Sequence, residues 1–286
     1  MVALLVPFAL GGATTSCASS PSYRIELPAR PETREAGTIL FVLTAAAEQS
    51  LRGGGKRATG YFLNEFYEPY RALEDAGYHV AVATPGGRPA VVDPESLDEK
   101  YWSSPAELER ARHERVSLRE LAVPLSLAEA RARQEEFQGL VVPGGQGVMV
   151  DLLDDPDLQA LLIAFDANDR PVGLVCHAPA LLTRFPEGQR PFAGSRVTSV
   201  SAFEEWYIET FVMGDEARVR AIGSALDDHG YRHEAAFPGT SKAVRDCALV
   251  TSQNPFSGKE FSSYYLEALR DHRRGARCVY TRDDEQ

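Results

Sequence analysis

Cys176 beside His177, at the end of the apolar run Val172-Gly173-Leu174-Val175, is the pair in this chain best suited to nucleophilic chemistry. Such a run reads as a strand buried on both faces, and Ala178 followed by Pro179 suits the first turn of a helix. Cys176 then falls in a sharp strand-to-helix turn, an elbow that exposes the thiol at the carboxyl end of a sheet. Helix N–H groups aimed at it would favour the thiolate. The competing reading is a core cysteine, because free cysteine is among the most buried residue types.

Three other segments supply what a thiol nucleophile needs. Val141-Val142-Pro143-Gly144-Gly145-Gln146-Gly147 is a second buried strand, ending in a glycine loop whose N–H groups could meet a developing oxyanion. From Thr59 to Leu73, helical spacing places Phe62, Phe66, Pro69 and Leu73 on one face, and Glu65 falls on that same face. A carboxyl turned toward a core has its pKa raised toward the range useful for proton transfer. Glu68 and Glu74 mark where this helix keeps its solvated charges. Downstream, Arg196 to Glu205 reads as a short strand running into an acidic helix start, from which Glu205 could orient His177 as a triad acid. Acidic residues in a first helical turn also occur for dipole reasons alone, and spacing by itself favours that reading of Glu205.

The elements that position these residues alternate. Thr38 to Thr44 and His79 to Thr84 read as parallel core strands separated by the helix that carries Glu65. Alternation of strands and helices predicts an α/β fold, a doubly wound, mostly parallel sheet flanked by helices with right-handed crossovers. Ligands in such sheets bind beyond the carboxyl ends of the strands, where Cys176 and Gly144 to Gly147 both fall. Residues 95–135 form an extra charged stretch, helical from Pro105 onward, that is either a lid or a solvated insertion.

Five ordered segments carry a resemblance to a known family: Thr59 to Pro69; Ala83 to Gly87 with Val92 to Ser96; Pro143 to Gly147; Cys176 to Pro179; and Leu249 to Pro255. Over roughly residues 37 to 270 the chain resembles the ThiJ/PfpI family of the class I glutamine amidotransferase-like superfamily, and within it the chaperone and glyoxalase III branch. The resemblance implies a flavodoxin-like fold with a nucleophile elbow. It implies Cys176 as nucleophile, His177 as its base, Glu65 as the carboxylate contacting the sulfur and Glu205 as the triad acid. The backbones of Gly145 and His177 take the place of the oxyanion donors, with Gly144 and Gln146 completing that loop. Where the branch reads Pro-Gly-Gly-His-Gly, this chain has Gln146, a neutral amide in place of a titratable ring at the pocket rim, which bears on substrate preference more than on activation of the thiol.

The activity implied is that of a cofactor-independent glyoxalase III, of the lyase type also called D-lactate dehydratase. It would convert methylglyoxal or a related 2-oxoaldehyde to a 2-hydroxy acid with neither metal nor glutathione. Two alternatives stay open: an amidase or peptidase using Cys176, His177 and Glu205 as a hydrolytic triad, and a holding chaperone in stress response that works through exposed apolar surface. The expected partners are accordingly a small 2-oxoaldehyde, a second copy in a homodimer and, for the chaperone, unfolded client proteins.

The amino terminus reads separately. Val2 to Leu10 are almost wholly apolar, and small residues follow up to Cys17, as in a signal peptide. Thr14-Thr15-Ser16-Cys17 resembles a bacterial lipobox, although no Lys or Arg precedes the apolar run. The expected organisation is a leader over 1–17 with Cys17 as lipidation site, a polar linker over 18–36, a catalytic domain over 37–275 and a tail over 276–286. Export with a membrane tether through lipidated Cys17 is the expectation, and a cytoplasmic enzyme with an apolar tail is the alternative. An oxidising compartment would permit a bridge between Cys247 and Cys278.

A formal charge of −11 argues against nucleic acid as a partner, since phosphate binding needs clustered cations. Gly53-Gly54-Gly55-Lys56-Arg57 lacks the first glycine and the terminal Ser or Thr of a phosphate loop. His229 and His233 have ligand spacing, but no third ligand accompanies them.

Overall fold

The computed structural model describes residues 23–26 and 36–280, with side chains over 36–277. The expected leader, the lipobox with Cys17 and the last residues of the tail lie outside the described residues. Within the stretches read as linker and tail, Tyr23–Glu26 pairs antiparallel with Arg277–Tyr280.

Seven strands form the central sheet: β1 (Thr38–Val42), β2 (His79–Thr84), β3 (Leu125–Ser126), β4 (Phe137–Val142), β5 (Val172–Val175), β6 (Ala243–Asp246) and β7 (Leu249–Ser252). Their spatial order is β6-β7-β5-β4-β1-β2-β3, parallel throughout except for β6, which pairs antiparallel with β7. The apolar runs that announce β1, β4 and β5 in the sequence are the strands buried on both faces, as parallel sheets require.

Helices cover both faces. On one, α1 (Leu63–Asp75) packs against α6 (Gly258–Arg273); on the other lie the short helix Leu127–Ala132 and α3 (Pro156–Ala167). Two glycines inside strands let α6 approach. A Cβ on Gly139 would sit 2.4 Å from the Tyr265 hydroxyl, and one on Gly173 would sit 2.5 Å from the Phe261 ring. The Tyr265 hydroxyl donates to Leu140 O at 3.0 Å, so a buried polar group is satisfied at the point of closest packing.

The charged insertion is anchored rather than merely solvated. In α2 (Pro105–Ser117), capped by Ser104, Leu108 and Ala111 are buried in the core, and the Tyr67 hydroxyl of α1 donates to Glu114 at 2.9 Å. Ahead of α2, the Trp102 ring nitrogen donates to Ser96 O at 2.9 Å, which ties down the turns that carry Glu95 and Tyr101. Glu68 departs from the sequence reading too: it is half-buried against the start of α6, where a Cβ on Gly258 would collide with its carboxyl, and burial pushes it up to about 7. The residues Gly53 to Gly55 form the turn of a hairpin between Glu48–Ser50 and Lys56–Ala58.

Candidate active site

Cys176 follows β5 directly and adopts φ 58°, a left-handed backbone that costs a non-glycine residue energy and recurs at strained functional turns. Two backbone bonds clamp it there: Cys176 N–H donates to Ser252 O at 2.7 Å, and Val200 N–H donates to Cys176 O at 2.9 Å. The chain then continues as the 3-10 helical segment Ala178–Arg184, with Pro179 in its first turn. The thiol is 5% exposed.

Glu65 lies in the first turn of α1, on the buried face that its spacing predicts, and is 2% exposed. Its Oε2 accepts the Gly144 N–H at 2.9 Å, and the carboxyl interacts with the Cys176 thiol. Gly144 is required for this approach, because a Cβ there would lie 2.6 Å from Glu65 Oε2, 2.6 Å from Val175 O and 2.7 Å from the Cys176 Cβ. Next to it Gly145 adopts φ 101° and lines the cavity over the thiol.

Burial pushes Glu65 up to about 8, against the opposing bonds from Cys176 and Gly144. It also pushes the Cys176 thiol well up, with the charges of Glu65 and Glu204 adding to it, while the His177 N–H acts the other way. At neutral pH the pair therefore holds its protons, and the elbow does not by itself deliver a thiolate as its helix dipole suggested. A base must take the thiol proton. His177 is placed for that: its Nδ1 lies 3.1 Å from Cys176 Sγ. Burial lowers its pKa to about 4, so the ring is neutral and able to accept.

Gln146 is not a rim residue. It is 6% exposed, and its Nε2 lies 2.9 Å from His177 Nε2. Behind it, buried Gln49 from the Glu48–Ser50 strand donates its Nε2 to Gln146 Oε1 at 3.0 Å.

Glu205 does not orient His177. Its carboxylate accepts the N–H groups of Ala221 at 3.0 Å and Ile222 at 3.3 Å, capping α5 (Ile222–Asp228). The acid that acts on the site is its neighbour, Glu204. In α4 (Ala202–Tyr207) adjacent side chains point about 100° apart around the axis, so one glutamate faces α5 and the other the cavity. Glu204 closes a capping box with Ser201 and accepts from Gln253 Nε2 at 3.0 Å and Asn254 Nδ2 at 2.9 Å. Its charge acts on both Cys176 and His177 without a hydrogen bond to the ring.

Above the thiol lies a cavity of about 340 Å³. Its walls include the aromatic side chains of Phe62, Tyr101, Phe203, Tyr207 and Phe256, with the Phe62 and Tyr101 rings edge to face at 4.9 Å. The charged insertion contributes Glu95, Lys100 and Tyr101, and the hairpin contributes Arg57, which pairs with Asp93 at 3.2 Å. Sequence reasoning missed Glu204, Gln49 and Tyr101 as site residues; the alternating burial of the hairpin strand, with Gln49 alone turned inward, offered a faint signal. Among the described residues no group of three or more His, Cys, Asp or Glu side chains could hold a metal ion. Cys247 is disulfide-bonded.

A protein/nucleic acid deglycase HchA of Pseudomonas aeruginosa (strain LESB58) is 31% identical over 149 residues, covering 50% of this chain and 49% of its own length. The match thus spans about half the length of that relative. The glutathione-independent glyoxalase hsp3101 of Schizosaccharomyces pombe is 24% identical over 223 residues, covering 76% of this chain and 90% of its own. The crystal structure of glyoxalase III from Candida albicans superposes with a TM-score of 0.65 at 21% identity, over 81% of this chain and 97% of that one, which is a likeness of fold. The DJ-1/PfpI family model matches residues 58–268, which include Glu65, Gly144, Cys176 and His177, and the chain belongs to the DJ-1/PfpI family.

Proposed function

We propose that this protein is a glyoxalase of the glutathione-independent type, acting on 2-oxoaldehydes through Cys176. The observation that carries the reading is the contact of a buried, proton-holding Glu65 with a thiol held at a strained elbow. His177 takes the thiol proton and the sulfur adds to the aldehyde carbon, forming the C–S bond of a hemithioacetal. The proton on that carbon is removed and returned to the neighbouring carbonyl carbon through an enediol, leaving a thioester beside a hydroxyl-bearing carbon. Water then cleaves the thioester, releasing a 2-hydroxy acid and restoring the thiol. Glu65 gives its proton to the aldehyde oxygen as the sulfur adds and, then ionised, takes the carbon-bound proton and returns it to the neighbouring carbon. The Gly145 and His177 N–H groups are the candidate donors to the developing oxyanion.

Names of relatives as glyoxalase and deglycase support this reaction class. A triad hydrolase is the weaker reading, because Glu205 is spent on α5 and, among the described residues, no carboxylate hydrogen-bonds His177. Export is part of the proposal, on the apolar run Val2 to Leu10 and the small residues that lead to Cys17. The test is conversion of methylglyoxal to lactate without glutathione, for wild type beside Cys176→Ala. Turnover that disappears in the variant supports the reading, and turnover that survives it overturns it.

A further inference from the structure

Three buried side chains stand in line behind the nucleophile. From Cys176 Sγ the line passes to His177 Nδ1 at 3.1 Å, from His177 Nε2 to the Gln146 amide at 2.9 Å, and from Gln146 to Gln49 at 3.0 Å. Gln49, Gln146 and His177 are 4%, 6% and 4% exposed, so bulk water does not serve these groups. As the amides stand, Gln49 Nε2 donates to Gln146 Oε1, and Gln146 Nε2 donates to His177 Nε2. That order leaves the imidazole proton on Nδ1, pointed at the sulfur. A ring in that state cannot take the thiol proton.

The opposite order occupies the same heavy-atom positions. Turning both amides over makes Gln146 Oε1 accept from His177 Nε2–H and Gln49 Oε1 accept from Gln146 Nε2–H. Nδ1 is then free to accept the thiol proton, and the imidazolium that results keeps an acceptor at Nε2. The exchange sacrifices no existing bond of Gln49, whose Oε1 is buried without a partner in the present order. A carboxylate could serve only the second order, since it accepts and never donates when ionised.

We propose that Gln146 and Gln49, in that turned order, form an amide relay that positions His177 in place of a triad carboxylate, holding a proton on Nε2 both before and after Nδ1 takes the Cys176 proton. The relay rests on Cys176 being the nucleophile, and not on which substrate it attacks. Gln146 and Gln49 are positioning residues, acting on the sulfur only through His177. The other titratable groups facing the thiol are Glu65 from α1, Glu204 from α4 and Tyr101 from the insertion, while Arg57 from the hairpin acts on His177.

The test follows alkylation of Cys176 by iodoacetamide across pH, in the full chain, for wild type, Gln146→Leu and Gln49→Leu. An alkylation midpoint is independent of how easily the reagent enters the cavity. The expected result is a midpoint raised by about one pH unit in Gln146→Leu, equivalent to about tenfold less thiolate, and a smaller rise in Gln49→Leu. Gln49 lies on the hairpin outside the sheet, so its variant keeps the test decisive if Gln146→Leu does not fold. Nitrogen-15 spectra of histidine provide the second readout: His177 Nε2 should be protonated and Nδ1 unprotonated in neutral wild type, as in Gln146→Glu, with that preference lost in Gln146→Leu. Unmoved midpoints in folded variants, or an Nε2 unprotonated in neutral wild type, overturn the relay. A wild type with no titrating alkylation overturns the relay and the nucleophile together. Normal alkylation without aldehyde turnover leaves the relay standing and removes the glyoxalase reading.

Discussion

The Glu65 carboxyl and the Gly144 N–H meet at 2.9 Å beside the Cys176 thiol, joining the first turn of α1 to the loop after β4 across a separation of 79 residues. This bond sets the carboxyl against the sulfur, and the missing side chain of Gly144 makes room for it. Replacing Gly144 with Ala should therefore displace Glu65 and Cys176 together, lowering turnover at least about a hundredfold, the scale of a lost acid-base group. Steady-state kinetics on the folded variant measure this, and near-normal kcat/KM would contradict the geometry.

Replacing Glu65 with Gln should remove turnover on the order of a hundredfold or more and flatten the pH dependence of stability. Glu65 binds its proton more tightly in the folded state, where its pKa is about 8, than at the ordinary value of 4.5. Its contribution to stability is therefore full below pH 4.5 and is lost as the pH rises through about 8. Urea unfolding at both ends of that window should show wild type losing stability at the alkaline end and Glu65→Gln losing less. Equal losses would show that Glu65 does not hold its proton in the folded protein.

At Cys176, glycine and alanine variants separate strain from chemistry. Both lack the thiol and should be inactive. Glycine adopts φ 58° without the side-chain penalty, so Cys176→Gly should be more stable than Cys176→Ala by about 1 kcal/mol. Thermal unfolding of the pair reads the difference, and a less stable glycine variant would argue against strain at the elbow.

The two neighbouring glutamates should differ in what they damage. Glu205→Ala strips the acceptor from two helix N–H groups and should cost about 1 kcal/mol of stability while turnover in the folded protein persists. Glu204→Gln keeps the bonding size but removes the charge acting on the thiol and the ring, and should move the pH profile of kcat/KM instead. A profile unmoved in Glu204→Gln, or turnover abolished in folded Glu205→Ala, would reverse these assignments.

Local pattern determined much of this protein. The continuous apolar runs of β1, β4 and β5 announce strands buried on both faces, and their alternation with helices announces a parallel doubly wound sheet. Cys176 at the end of one run and Glu65 on the apolar face of α1 are legible for the same reason: periodicity fixes which way a side chain points within its own element. Tertiary structure decided the rest. Which of Glu204 and Glu205 faces the cavity turns on how a helix of less than two turns is seated, an angle set by its packing against α5 and by Ser201. The Gln146 contact with His177 spans 31 residues and its contact with Gln49 spans 97, so no local spacing encodes them. The aromatic wall formed by Phe62, Tyr101 and Phe256 likewise assembles from three distant segments, because burying apolar rings against one another is a property of the folded surface rather than of any one stretch of sequence.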